Sequence, residues 1–132
     1  MKILVDADVL VALAKEDDNN HPKAVKIAKS LEKETLFITP LAIPEAATVL
    51  SYRISQKIAG QFLNEARQRK LVELSLTPQT CLLTDEIFLK QKQRGISWID
   101  CLNIAMVQVY HLDGIFSFDK FYSKFSLKHF GR

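Results

Sequence analysis

At 132 residues, 48% hydrophobic and 25% charged, the chain has the size and composition of one ordinary globular domain, 1–132, and not of a disordered segment. No apolar run approaches the ~18 residues of a membrane span, and Lys2 precedes only a short apolar stretch before acids intervene, unlike a signal peptide, so a cytoplasmic location is expected. The net charge of +3 is mild, and Cys81 and Cys101 lie in no CxxC and near no histidine at metal-ligand spacing, which makes them reduced core thiols.

The first element is ILV (3–5), a short β-branched run suited to a buried parallel strand. Asp6 and Asp8 then interrupt the apolar stretch KILVDADVLVAL. The apolar positions from Val9 to Ala14 predict a helix, with Asp8 as its natural N-cap. HPKAVKIAKSLEKE (21–34) is amphipathic, with Ala24, Ile27, Ala28 and Leu31 on one face and lysines on the other. TLFIT (35–39) reads as a second strand. Pro40 and Pro44 follow, and because a helix tolerates proline only in its first turn, the next helix should begin at 41–44 and run through EAATVLSYRI.

QKIAGQFLNEARQR (56–69) predicts another helix, and VELSL (72–76) a third strand. Thr77 and Pro78 open a helix to about Gln93, stopped by Gly95. SWIDCLNIAMVQVYHL (97–112) is apolar on nearly every side, so it should be central, with Trp98 and Met106 toward the core. GIFSF (114–118) is a fourth strand, followed by a short helical or turn segment and an edge strand near Leu127. Strands alternating with helices predict an α/β fold, with a mostly parallel sheet of four to five strands flanked by helices.

Four acids fall at one edge of that sheet. In an open α/β sheet, ligands bind beyond the carboxyl ends of the strands. Asp6 follows the first strand and Asp119 the fourth; Glu45 lies in the first turn of the helix after strand two, and Asp100 in the first turn of the buried helix. Each also has a structural role open to it. Asp100 completes a capping box on Ser97, Glu45 favours its helix dipole, and Asp119 can start a turn. Convergence, however, has a consequence: two carboxylates ~5 Å apart repel by roughly 3 kcal/mol at an effective dielectric near 20. Four together must take up protons or hold a cation. All-oxygen ligands select hard ions such as Mg²⁺ or Mn²⁺, which ordinarily serve phosphoryl chemistry.

The elements ILVDADVLV, PEAATVL, SWIDCLNIA and FSFDKFY, in this order across essentially the whole chain, resemble the PIN-domain nucleases, especially the small VapC-like toxin ribonucleases. The resemblance implies a PIN-like three-layer α/β/α fold and an acidic quartet of Asp6, Glu45, Asp100 and Asp119 that binds Mg²⁺ or Mn²⁺. It implies single-strand RNA cleavage by an activated water, leaving a 5′-phosphate and a 3′-hydroxyl. It also implies a homodimer silenced by a small antitoxin. Asp8 departs from the small polar residue frequent at its position; with Ser117, and with Asn103 one turn after Asp100, it is a supporting candidate near the metal.

Two rivals remain. DADVL also resembles the start of haloacid-dehalogenase-type phosphatases, with Asp6 as nucleophile and Asp8 as acid, but that reading leaves Glu45 and Asp100 unexplained. The other is a non-catalytic RNA- or protein-binding module on the same fold. Lysine and arginine clusters at 23–29, 67–70, 90–94 and 120–132 read as solvated faces individually and together permit a polyanionic partner. His21, His111 and His129 pair with nothing obvious, and Asp85 and Glu86 read as solvated helix residues.

Overall fold

The computed structural model describes residues 1–132. Five strands, β1 (Lys2–Val5), β2 (Thr35–Ile38), β3 (Val72–Glu73), β4 (Gly114–Phe116) and β5 (Lys128–Phe130), form one sheet of order β3-β2-β1-β4-β5. Every pairing is parallel, so the expected mostly parallel sheet is wholly so. The six α-helices are α1 (Ala7–Ala14), α2 (His21–Ser30), α3 (Ala42–Arg53), α4 (Gln56–Ala66), α5 (Pro78–Leu89) and α6 (Trp98–Val109); a 3₁₀ helix spans Lys120–Lys124.

Strand alternation splits the core in two. Ile3 and Val5 point to one face, where Val9, Leu10, Ile43, Leu50 and Phe62 of α1, α3 and α4 cover them. Leu4 and Ile115 point to the other, against Leu102, Met106 and Tyr122. The result is the three-layer arrangement expected for strands buried on both sides. Helix α6 explains its all-round apolarity: Cys101 to Val107 are seven consecutive buried residues.

Several elements are shorter than their apolar patterns. The second helix stops at Ser30, α4 at Ala66, α5 at Leu89 and α6 at Val109, and β3 keeps only Val72 and Glu73. Leu74 leaves the strand to enter the α6-side core, while its N–H still bonds to the Ile38 carbonyl at 2.9 Å. Gly95, with φ +90°, lies in the loop beyond α5 and not directly at its end. Pro44 sits in the first turn of α3, where its missing N–H costs no helical bond.

The chain leaves β1 toward β2 on one side and returns through β4 on the other. That reversal opens a crevice beyond the carboxyl ends of β1 and β4, the place where open α/β sheets take their ligands.

Candidate active site

Asp6 caps α1. Its backbone is extended (φ −81°, ψ 155°) because its N–H still bonds to the Phe116 carbonyl of the neighbouring strand, 3.0 Å away. Its Oδ1 accepts from Ala7 N–H at 2.8 Å. This corrects the assignment of the cap to Asp8. The helix starts two residues earlier than the apolar pattern suggests, and Asp8 falls inside its first turn.

Released from capping, Asp8 points across to the β4 side. Its Oδ2 accepts from Phe118 N–H at 2.9 Å, while its Oδ1 is buried with no hydrogen-bond partner. The Ser117 hydroxyl lies 2.8 Å from Asp6 Oδ2 and 3.2 Å from Asp8 Oδ2, and accepts from Asp119 N–H at 3.1 Å. One hydroxyl carries one proton. It cannot satisfy both carboxylates, so both contacts are favourable together only when one of the two carboxyls is itself protonated.

On the α6 side, Asn103 Nδ2 donates to Asp6 Oδ1 at 3.1 Å and to the Tyr122 hydroxyl at 2.9 Å, which in turn donates to Asp100 Oδ1 at 3.3 Å. Asp100 and Ser97 make the expected capping box, both bonds at 3.0 Å, so Asp100 Oδ2 is committed to backbone while Oδ1 faces Tyr122. Asp119 caps the 3₁₀ helix through Oδ1, 2.9 Å from Phe121 N–H. Glu45, half-buried in the first turn of α3, has no hydrogen-bond partner for its carboxylate.

These side chains share one cavity of about 310 Å³, lined by Asp6, Asp8, Glu45, Asp100 and Asp119 together with Asp18, Asn20, Val49 and Arg53. The candidate quartet is thus brought together, and Ser117 and Asn103 both hold Asp6. Six acids line the space against a single cation, Arg53. Burial, with Asp100 nearby adding repulsion, pushes Asp6 up to about 6 despite the Ser117 hydrogen bond. Burial, then the charge of Asp6, pushes Asp8 to about 7. Burial, then Asp6 and Asp100, pushes Glu45 to about 7.

The donor chemistry fits a hard divalent cation: oxygen ligands only, an excess of negative charge, and an orphaned buried carboxylate oxygen on Asp8. As the side chains stand, no three acids, histidines or cysteines converge at ion-binding distance. Asp100 and Asp119 are turned toward the N–H groups they cap.

A profile of the PIN domain matches residues 3–126. The chain belongs to the PIN domain family. Among solved structures, this PIN domain superposes on the VapC20 toxin of Mycobacterium tuberculosis, described as sarcin-ricin loop cleaving, with a TM-score of 0.81 at 18% identity over 92% of each chain. It also superposes on VapBC2 of Rickettsia felis, bound to a DNA fragment from its promoter, with a TM-score of 0.73 at 12% identity over 98% of each chain. No curated protein sequence matches it. Membership of the PIN family sets aside the phosphatase reading of Asp6 and Asp8.

Three participants lay outside the sequence reading. Tyr122, fully buried, links Asn103 to Asp100; nothing in an aromatic-rich segment marks one tyrosine as a buried hydroxyl. Asp18 and Arg53 reach the cavity from a loop and a helix end. Other expectations shift in detail. Trp98 is half-buried and its indole N–H bonds to Asp85 at 2.8 Å, so Asp85 is exposed but engaged. Cys101 is buried, Cys81 only partly, and both are free thiols. His129 bonds to the Ser117 carbonyl and His21 to the Ala12 carbonyl, both structural roles. No helix is long and apolar enough to cross a membrane.

Tyr122→Phe tests the supporting network without replacing any cavity acid, although it removes the hydrogen bond to Asp100 Oδ1. It leaves Asn103 Nδ2 short of one acceptor in a buried site, which costs about 1–3 kcal/mol. The expected result is a lower Tm with unchanged secondary structure by circular dichroism; an unchanged Tm would show that the Tyr122 hydroxyl supports nothing.

Proposed function

We propose that this PIN domain is a metal-dependent endoribonuclease acting on single-stranded RNA, the toxin of a toxin–antitoxin pair. The observation that carries this reading is the gathering of the acidic quartet in one cavity at the sheet's switch point, in a chain of this family. The likeness to a VapC toxin and to a VapBC complex supports the biological role and a small antitoxin as partner; assembly as a homodimer belongs to the same reading and rests on the family resemblance alone.

Asp6, Glu45, Asp100 and Asp119 would hold Mg²⁺ or Mn²⁺. When bound, such an ion lowers the pKa of water and neutralises phosphate oxygens. The chain's own contribution is unequal among the four. Asp6 is immobilised from three sides by Ala7, Asn103 and Ser117, so it is the fixed anchor. Glu45, bonded to nothing, is free to orient the attacking water and accept its proton. Asp100 and Asp119 hold one end of the site each while capping a helix. Water attack at phosphorus breaks the bond to the 3′ oxygen, leaving a 3′-hydroxyl and a 5′-phosphate.

Incubating the purified protein with Mn²⁺ and a panel of single-stranded and structured RNAs, then mapping the ends, tests this. Cleavage products with 5′-phosphates are expected. Intact RNA across the whole panel would favour the non-catalytic binding module instead.

A further inference from the structure

Arg53 is the one cation among the residues lining the acidic cavity, and the mechanism above gives it no task. It ends α3, on the helix face that already carries Glu45 and Val49, since positions four apart lie one above the other. Eight residues along a helix is ~12 Å, which sets Arg53 about two turns from Glu45. Its only ionic partner is Asp18, with Nη1 4.0 Å from Oδ2, and its side chain is 59% exposed against 16% for Asp18. Asp18 is the fixed member: its Oδ1 accepts from Asn20 N–H at 2.8 Å and its carbonyl from His21 N–H at 2.9 Å, at the entry to α2. One long monodentate contact leaves most of the five guanidinium N–H groups without a protein partner in a residue that lines the cavity.

A cation beside this many acids has a use if the ligand is an anion that must be drawn past them. Guanidinium matches phosphate in a bidentate fork, as lysine does not. Resting on the ribonuclease reading, we infer that Arg53 is a positioning residue that grips an RNA phosphate flanking the scissile one, and that Asp18 parks it until RNA arrives. Arg53 makes no ion pair with Asp6, Glu45, Asp100 or Asp119, its one acidic partner being Asp18, which sets it at the edge of the cavity and apart from the quartet. Arg53 therefore acts on binding more than on the chemical step.

The test compares wild type with Arg53→Ala, Arg53→Lys, Asp18→Asn and a control that also removes one positive charge, Lys57→Ala, an exposed lysine of α4 outside the four basic clusters. Binding of a labelled single-stranded RNA is read by fluorescence anisotropy in EDTA, where no hydrolysis occurs, across a salt series. Single-turnover cleavage with Mn²⁺ separates half-saturation from maximal rate. Losing one charge-assisted contact predicts roughly tenfold weaker binding for Arg53→Ala. It also predicts a salt slope shallower by about 0.7, one phosphate's worth on a single strand.

The maximal rate should change much less. Arg53→Lys should recover only part of the loss, Asp18→Asn should bind more tightly, and Lys57→Ala should match wild type. Equal affinity and slope for Arg53→Ala and wild type, with wild-type cleavage intact, would overturn this assignment alone. A wild type that neither binds nor cleaves RNA would overturn the ribonuclease reading along with it.

Discussion

Asp6→Asn is expected to abolish RNA hydrolysis while leaving the metal-free protein folded and more stable than wild type. The two effects have opposite signs because one carboxylate serves both. In the fold, Asp6 is a buried acid held by Ala7, Asn103 and Ser117. Asparagine keeps the acceptor oxygen for Ala7 and Asn103, and its amide can donate to the Ser117 hydroxyl in place of receiving from it. The charge that is costly to bury, and that repels Asp8, Glu45 and Asp100, is gone.

In function, a neutral amide is a poorer ligand for a hard cation. Even groups one step removed from a metal ligand cost 10–100-fold when changed, so a loss of ~10²-fold or more is expected for the ligand itself. Thermal melts in EDTA should show a rise for the variant, and Mn²⁺ should raise the Tm of wild type only. A variant as active as wild type would remove Asp6 from the site. A variant less stable than wild type in EDTA would mean that the carboxylate's hydrogen bonds outweigh its burial cost.

The layers of the fold were legible because they follow from periodicity and punctuation. Alternating short apolar runs and amphipathic segments gave five strands and six helices in the right order. Pro44 placed the start of α3, and Thr77 with Pro78 the start of α5, where Thr77 and Thr80 turn out to form a capping box. Helix ends were less legible, since Leu31, Leu112 and their neighbours continue the apolar pattern as loop residues that still face the core. The Asp6 and Asp8 exchange has the same origin. Both precede an apolar run, and what decides between them is a long-range bond from Asp6 N–H to Phe116, which holds residue 6 extended. The gathering of Asp6, Glu45, Asp100 and Asp119 followed from topology, each lying just past a strand or in a first helical turn. Arg53, Asp18 and Tyr122 had no such marker, because their contacts with the site depend on side-chain direction across elements distant in sequence.

The site's charge makes a second large effect: without a divalent cation, stability should fall as pH rises from about 4 to about 7. Asp6, Asp8 and Glu45 are held at about 6, 7 and 7 in the fold against 3.8, 3.8 and 4.5 ordinarily, burial being the first cause for each. Between those limits the folded chain binds more protons than the unfolded one, so unfolding free energy declines with pH through that window and levels off above it. The stability is fully present below pH ~4, where both states are protonated. Each unit is worth 1.36 kcal/mol, and Asp6 and Asp8 titrate as a pair, so a loss of ~2–4 kcal/mol is expected from the two together; Glu45 is too exposed to add much.

Mn²⁺ binds the ionised carboxylates, so it should offset the loss at pH 8 and do little at pH 5. Urea unfolding at pH 5, 6, 7 and 8, in EDTA and in Mn²⁺, checks both statements. Asp8→Asn isolates the cause: it removes the orphaned charge while keeping an oxygen to accept from Phe118 N–H, so its metal-free stability should vary less with pH than that of wild type. A wild type equally stable at pH 5 and pH 8 in EDTA would mean that the cavity acids ionise as freely as surface carboxylates. The site would then have no electrostatic need for a cation, and the case for metal chemistry would lose its physical basis.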